Sequence, residues 1–156
     1  MSFGVILHEP EQPGNTGAIG RTCICAGASL HLIRPLGFLT DEKSVRRAGL
    51  DYWEHLDMEV HESLADFLEE YGDHRMWLST TKGQQYYTDV AYEDEDMLLF
   101  GRETAGLPRD FIQANIERAI RIPMSQSTKL RSFNLSNSAA IVVFEALRQL
   151  GFPGLE

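Results

Sequence analysis

The chain contains no apolar run near the roughly 18 residues a membrane span needs, and no basic segment before its first hydrophobic residues. Neither a spanning helix nor a secretory leader is therefore expected. It has only two cysteines, Cys23 and Cys25. Two positions apart on a predicted helix, they point in different directions, so they are expected to stay unpaired, as buried thiols of a reduced cytoplasm. No GxGxxG follows the first predicted strand and no P-loop occurs, which disfavours dinucleotide and nucleoside-triphosphate sites. The five histidines show no ligand spacing, so no metal is expected. Repeats, low-complexity stretches and linkers are also lacking. The 156 residues read as a single domain, 1–156, able to bury roughly 70% of its unfolded surface.

Positive charge is scarce. Lys and Arg number 14 against 23 acids, a net charge of −9, which argues against a nucleic-acid partner because phosphate contacts need cations. The distribution softens that objection. Residues 51–73 hold nine acids and 89–96 hold five, and neither stretch has a Lys or Arg. The rest of the chain carries all 14 bases. An acidic surface with a basic strip is expected, and the local field matters more than the sum.

What is present is an alternation of short apolar runs with helical patterns. Strands are predicted over Phe3–Leu7, His31–Ile33, Met76–Ser79, Met97–Phe100 and Ile120–Pro123. Helices are predicted from about Gly17 to Ala26, over 43–48, over Ser63–Tyr71, from Pro108, and over Asn134–Leu150. This order predicts an α/β fold, a mainly parallel sheet with helices on both faces. The last helix, with Ala139-Ala-Ile-Val-Val-Phe144, is apolar all round and is expected to be enclosed, by its own fold or by a partner.

Three polar stretches sit where strands end or helices begin, the usual place for a ligand in such a sheet. They are Asn15-Thr-Gly17-Ala-Ile-Gly-Arg21, Gly101-Arg-Glu103-Thr-Ala-Gly106-Leu107-Pro108 and Ser132-Phe-Asn134-Leu-Ser136-Asn137. Read locally, each has an ordinary explanation: helix caps at Asn15 and among Ser132, Asn134 and Ser136, tight turns at Gly101 and Gly106, a solvated turn acid at Glu103, a surface arginine at Arg21.

Taken together, and with Glu9-Pro10, Thr80-Thr81-Lys82-Gly83 and Ile120-Arg-Ile122-Pro123-Met124, these stretches resemble the three motifs of the SPOUT superfamily of S-adenosylmethionine-dependent RNA methyltransferases. Within it, the chain is similar to the small tRNA 2′-O-methyltransferases of the TrmL type. The resemblance spans nearly the whole chain. It implies a C-terminal trefoil knot, S-adenosyl-L-methionine as cofactor, a cytoplasmic homodimer, and methylation of the wobble nucleotide, cytidine or a modified uridine, in the anticodon loop of leucine tRNAs. It implies catalytic roles for Arg21, Asn15, Glu103 and Asn134, and cofactor contacts at Ser79, Thr80, Gly101, Ile122 and Ser132. Arg46, Arg47 and Lys82 are the expected RNA contacts. Alternatives left open are the same chemistry at another tRNA or ribosomal ribose, a non-catalytic RNA-binding protein of the same fold, and a small-molecule α/β enzyme.

Overall fold

The computed structural model describes residues 3–38, 52–127, 129–130 and 132–156. The predicted basic helix over 43–48 therefore lies outside the described residues. Among the described residues seven strands form one sheet: β1 (Gly4–His8), β2 (Ser29–Ile33), β3 (Met58–His61), β4 (Met76–Ser79), β5 (Gln85–Tyr86), β6 (Met97–Phe100) and β7 (Ala119–Arg121). Their order is β3-β2-β1-β6-β4-β7-β5, and every pairing is parallel. Among the described residues four α-helices accompany the sheet: α1 (Pro13–Ala26), α2 (Leu64–Tyr71), α3 (Arg109–Ala114) and α4 (Leu135–Gln149).

The central strands are apolar up to their carboxyl ends, His8 of β1 and Ser79 of β4, because both their faces are covered. From β1, Val5 and Leu7 enter one core with Ile19, Cys23, Val142 and Val143, on the side of α1 and α4. Ile6 enters the other, with Phe67 of α2 and Ile112 of α3. β6 divides its side chains in the same way, Leu98 and Phe100 against Met97 and Leu99. Helices thus lie on both faces, as the alternation predicts.

Four differences from the sequence reading have local causes. α1 begins at Pro13 rather than near Gly17, because proline at the first helical position needs no partner for a missing N–H. Pro108 is the residue before α3, with ψ of 134°, and Arg109 opens the helix. Strands β3 and β5 escape the pattern because each is short and carries polar residues at a sheet edge. Helix α4 buries Ala139, Val142, Val143, Ala146 and Leu147 but leaves Phe144 40% exposed, so within this chain its enclosure is one-sided.

Among the described residues no helix is long and apolar enough to cross a membrane. Cys23 is buried and Cys25 exposed, both free, and burial pushes the Cys23 thiol up to about 12.

Candidate active site

The carboxyl ends of β4, β6 and β7 open into a cavity of about 560 Å³, within the usual range for a small-molecule site. Its walls are the segments that follow those strands, together with the start of α4 and Asn15 of α1. Of the residues expected at a cofactor, Ser79, Thr80, Gly101, Ile122 and Ser132 all line it. Asn15, Glu103, Asn134 and Lys82 line it too. Phe100, Leu107, Ile112 and Leu135 add apolar surface among the hydroxyl and amide groups.

Three side chains join the three motifs. The Glu103 carboxylate accepts from the backbone N–H of Glu11 at 2.9 Å and of Gln12 at 2.7 Å, and from the Asn15 amide at 3.2 Å. Gln12 precedes α1 without a side-chain cap of its own, so Glu103 supplies negative charge at that helix start from 91 residues away. Asn15 in turn accepts through Oδ1 from the Asn134 amide at 3.1 Å. Asn134 caps α4, its Oδ1 accepting from the N–H of Ser136 at 2.9 Å and of Asn137 at 3.2 Å. One local reading therefore holds at Asn134: it is a cap. The Asn15 reading does not, because Asn15 sits inside the first turn of α1 and its side chain bridges rather than caps.

A second latch runs the opposite way. The Glu11 carboxylate accepts from the Thr104 N–H at 3.0 Å and the Thr104 hydroxyl at 2.7 Å. Those bonds, the backbone one first, hold the Glu11 carboxyl below its ordinary range. Glu11 and Thr104 were not anticipated, since nothing local in the sequence marks a pair 93 residues apart.

The loop after β6 closes on itself through paired bonds between Arg102 and Gly106, with Gly106 at φ of 69°. A Cβ at Gly101 would lie 2.1 Å from the Gly106 carbonyl carbon. Glycine at 101 is required first by its own loop, and backbone approach to a ligand follows from that loop's shape.

Arg21 is not among the cavity-lining residues. It is exposed on α1 in a stripe with Ala18 and Cys25, and makes no ion pair to a described residue. The turn below it is braced by the Tyr52 hydroxyl, which donates to the Gly17 carbonyl at 2.7 Å. Arg46 and Arg47 lie outside the described residues.

The fold brings two of the five histidines together, which their spacing in the sequence does not show. Parallel pairing sets His31 beside Glu59 and places His61 two residues on, so the three gather at the far edge. His31 Nδ1 and His61 Nε2 are 3.0 Å apart, with ring centroids at 5.3 Å and planes at 19°. That separation is a hydrogen bond between the two rings, its direction set by their tautomers, with Glu59 Oε2 at 3.6 Å from His61 Nε2 and 4.0 Å from His31 Nδ1. Burial pushes His31 down to about 4.

A parallel sheet with a ligand-sized cavity of loops at its carboxyl edge, wired through these motifs, is the architecture of SPOUT methyltransferases. The chain belongs to the SpoU rRNA methylase family, which matches residues 2–144. It is 48% identical over 153 residues to the tRNA (cytidine(34)-2′-O)-methyltransferase of Escherichia coli K12, covering 97% of this chain and 96% of that one. A solved structure concerning 2′-OH methylation of C/U34 on tRNA superposes with a TM-score of 0.87, at 39% identity over 96% of both chains. The methyltransferase AviRb of Streptomyces viridochromogenes, solved in complex with AdoMet, gives a TM-score of 0.78 at 28% identity, covering 94% of this chain and 57% of that one.

Proposed function

We propose that this chain is an S-adenosylmethionine-dependent methyltransferase of the 2′-hydroxyl of nucleotide 34 in tRNA, working in the cytoplasm as a homodimer, with leucine tRNAs as substrates. The observation that carries the reading is the joining of all three motifs at one cavity through Glu103, Asn15 and Asn134. The cavity's size and its mix of apolar and hydroxyl-bearing walls fit an adenosyl group with a polar tail. Ser79, Thr80, Gly101, Ile122 and Ser132 would hold it. The family reading also carries the trefoil knot, in which the loops after β6 and β7 form the cofactor pocket.

When bound, S-adenosylmethionine supplies an electrophilic methyl carbon on a sulfonium. The protein must hold the ribose oxygen in line and stabilise its developing negative charge. Arg21 does the second. A guanidinium keeps its proton, so it acts as a charged donor to the alkoxide and the adjacent phosphate. The hydroxyl proton leaves to that phosphate or to water. Because Arg21 stands outside its own chain's cavity, it serves the cavity of a second copy, docked on the exposed faces of α1 and α4 where Ala18, Cys25 and Phe144 lie. Asn15, held by Glu103 and Asn134, fixes the start of α1 that carries Arg21.

The finer substrate reading is tested by offering the protein purified leucine tRNAs beside other tRNAs, with neighbouring modifications installed. Leucine tRNAs should accept one methyl group and an isolated anticodon stem-loop should retain part of the activity. Equal methylation of all tRNAs would remove the leucine assignment.

A further inference from the structure

A second depression of about 360 Å³ lies against the outer wall of the cofactor cavity and shares Lys82, Arg102 and the Ala105–Leu107 segment with it. It adds His8, Glu9 and Arg109. In a chain of net charge −9, three cations around one depression stand out, all the more because the other described arginines are mostly engaged elsewhere. Arg75 pairs with Asp96, Arg148 with Glu145 and Arg34 with Glu62, while Arg118 and Arg121 lie over Trp77 and Tyr86. Lys82 and Arg109, by contrast, are exposed and make no ion pair to a described residue. Among the described residues the ion pair of Arg102 is with Glu9, at 3.5 Å with both side chains partly exposed, a contact too weak to neutralise it.

His8 lines the inner wall, 8% exposed, and its Nδ1 is enclosed with no hydrogen-bond partner among the described residues, so it does not face the depression itself. What the depression presents is three cations with a single neighbouring carboxylate, Glu9. That set suits an oxyanion.

We propose that this depression seats a phosphodiester of the RNA strand beside the ribose being methylated, with Lys82, Arg102 and Arg109 as its cationic contacts. The proposal rests on the RNA-methyltransferase reading and deepens it. It supplies a phosphate contact adjoining the reacting ribose and explains how an acidic protein holds a polyanion. It also assigns Arg109, which no motif singles out. The same cations suit a carboxylate, such as that of the cofactor's amino-acid tail, so the test separates the two sources.

The test uses the full-length protein with Arg109→Glu and Arg109→Lys. Arg109 is exposed on the first residue of α3, where an acid is tolerated, and equal melting temperatures check the fold. Binding of an anticodon stem-loop RNA is measured across salt concentrations, and S-adenosylhomocysteine binding by calorimetry. The Glu variant should lose about tenfold in RNA affinity at moderate salt. Its slope of log affinity against log salt should fall by at least about 0.7, the loss of one single-strand phosphate contact. The Lys variant should follow the parent, and all three should bind S-adenosylhomocysteine alike. A parent-like salt slope in the Glu variant overturns the proposal. Loss of S-adenosylhomocysteine affinity with RNA binding intact overturns it too, assigning the cations to the cofactor. In both cases the parent still binds and methylates RNA, and the broader reading stands. A parent that binds no RNA overturns both.

Discussion

Asn15 and Asn134, 119 residues apart, are joined side chain to side chain at 3.1 Å, and the same Asn15 is held at its other end by Glu103. Asn15 is thereby used as both donor and acceptor, a pairing that an amide provides and a carboxylate does not. Asn15→Asp keeps the shape but replaces the donor with a second carboxylate facing Glu103. It should lower the methyl-transfer rate by about 100-fold, the scale of an ångström of misplacement at a reacting group. S-adenosylhomocysteine affinity should change little. Single-turnover transfer at the parent rate would exclude a positioning role for Asn15.

Glu103→Gln tests the other end. A carboxylate accepts at both oxygens, from two backbone N–H groups and from Asn15. Glutamine turns one acceptor into a donor and leaves at least one N–H unsatisfied. Urea unfolding should show a loss of roughly 1–2 kcal/mol, alongside reduced transfer. Unchanged stability would mean that Glu103 does not anchor the start of α1.

Arg21→Ala should reduce methyl transfer by at least about 100-fold, the scale of losing one donor to a developing oxyanion. Cofactor binding should persist, since Arg21 does not line its own chain's cavity. Arg21→Lys should remain strongly impaired, because a point charge does not reproduce the planar fork. The homodimer reading adds a sharper outcome. Mixing Arg21→Ala with a cavity variant remote from the start of α1, such as Ile122→Arg, should restore part of the activity in mixed dimers, and no restoration would place Arg21 in its own chain's site.

The buried His31 gives a pH dependence. Burial lowers it to about 4, with Glu59 and Asp57 opposing that shift and His61 and His74 adding to it. Below the ordinary histidine value of 6.5 the unfolded chain takes up the proton first. Stability should therefore fall as the pH drops from about 6.5 towards 4, by a total on the order of 3 kcal/mol. His31→Asn, which preserves a polar group near Nδ1, should flatten the slope of stability against pH in that window. An unchanged slope would assign the acid sensitivity to other groups.

Most of the sheet was legible because its central strands, Gly4–His8 and Met97–Phe100, are apolar on both faces and leave an unbroken run in the sequence. The edge strands were not, because Met58–His61 carries Glu59 and His61, whose partners come from elsewhere in the fold. Residues of all three motifs line one cavity, because the strand ends and helix starts that carry them meet there. Their wiring was hidden. Neither the Glu11–Thr104 latch nor the reach of Glu103 to the start of α1 leaves a trace in local spacing. The first helix was read from about Gly17, although Pro13 opens it. The position of Arg21 outside the cavity was likewise invisible, because helical spacing places it on a face without saying what that face meets.

The most direct test of the central claim is the location of the transferred methyl group. Under single-turnover conditions, the protein, methyl-labelled S-adenosylmethionine and a leucine tRNA should yield one labelled methyl group per tRNA. Nuclease digestion followed by mass spectrometry should place it on the 2′-oxygen of nucleotide 34. Label on a base, label only at another position, or no label from a folded protein that binds S-adenosylhomocysteine would contradict the account.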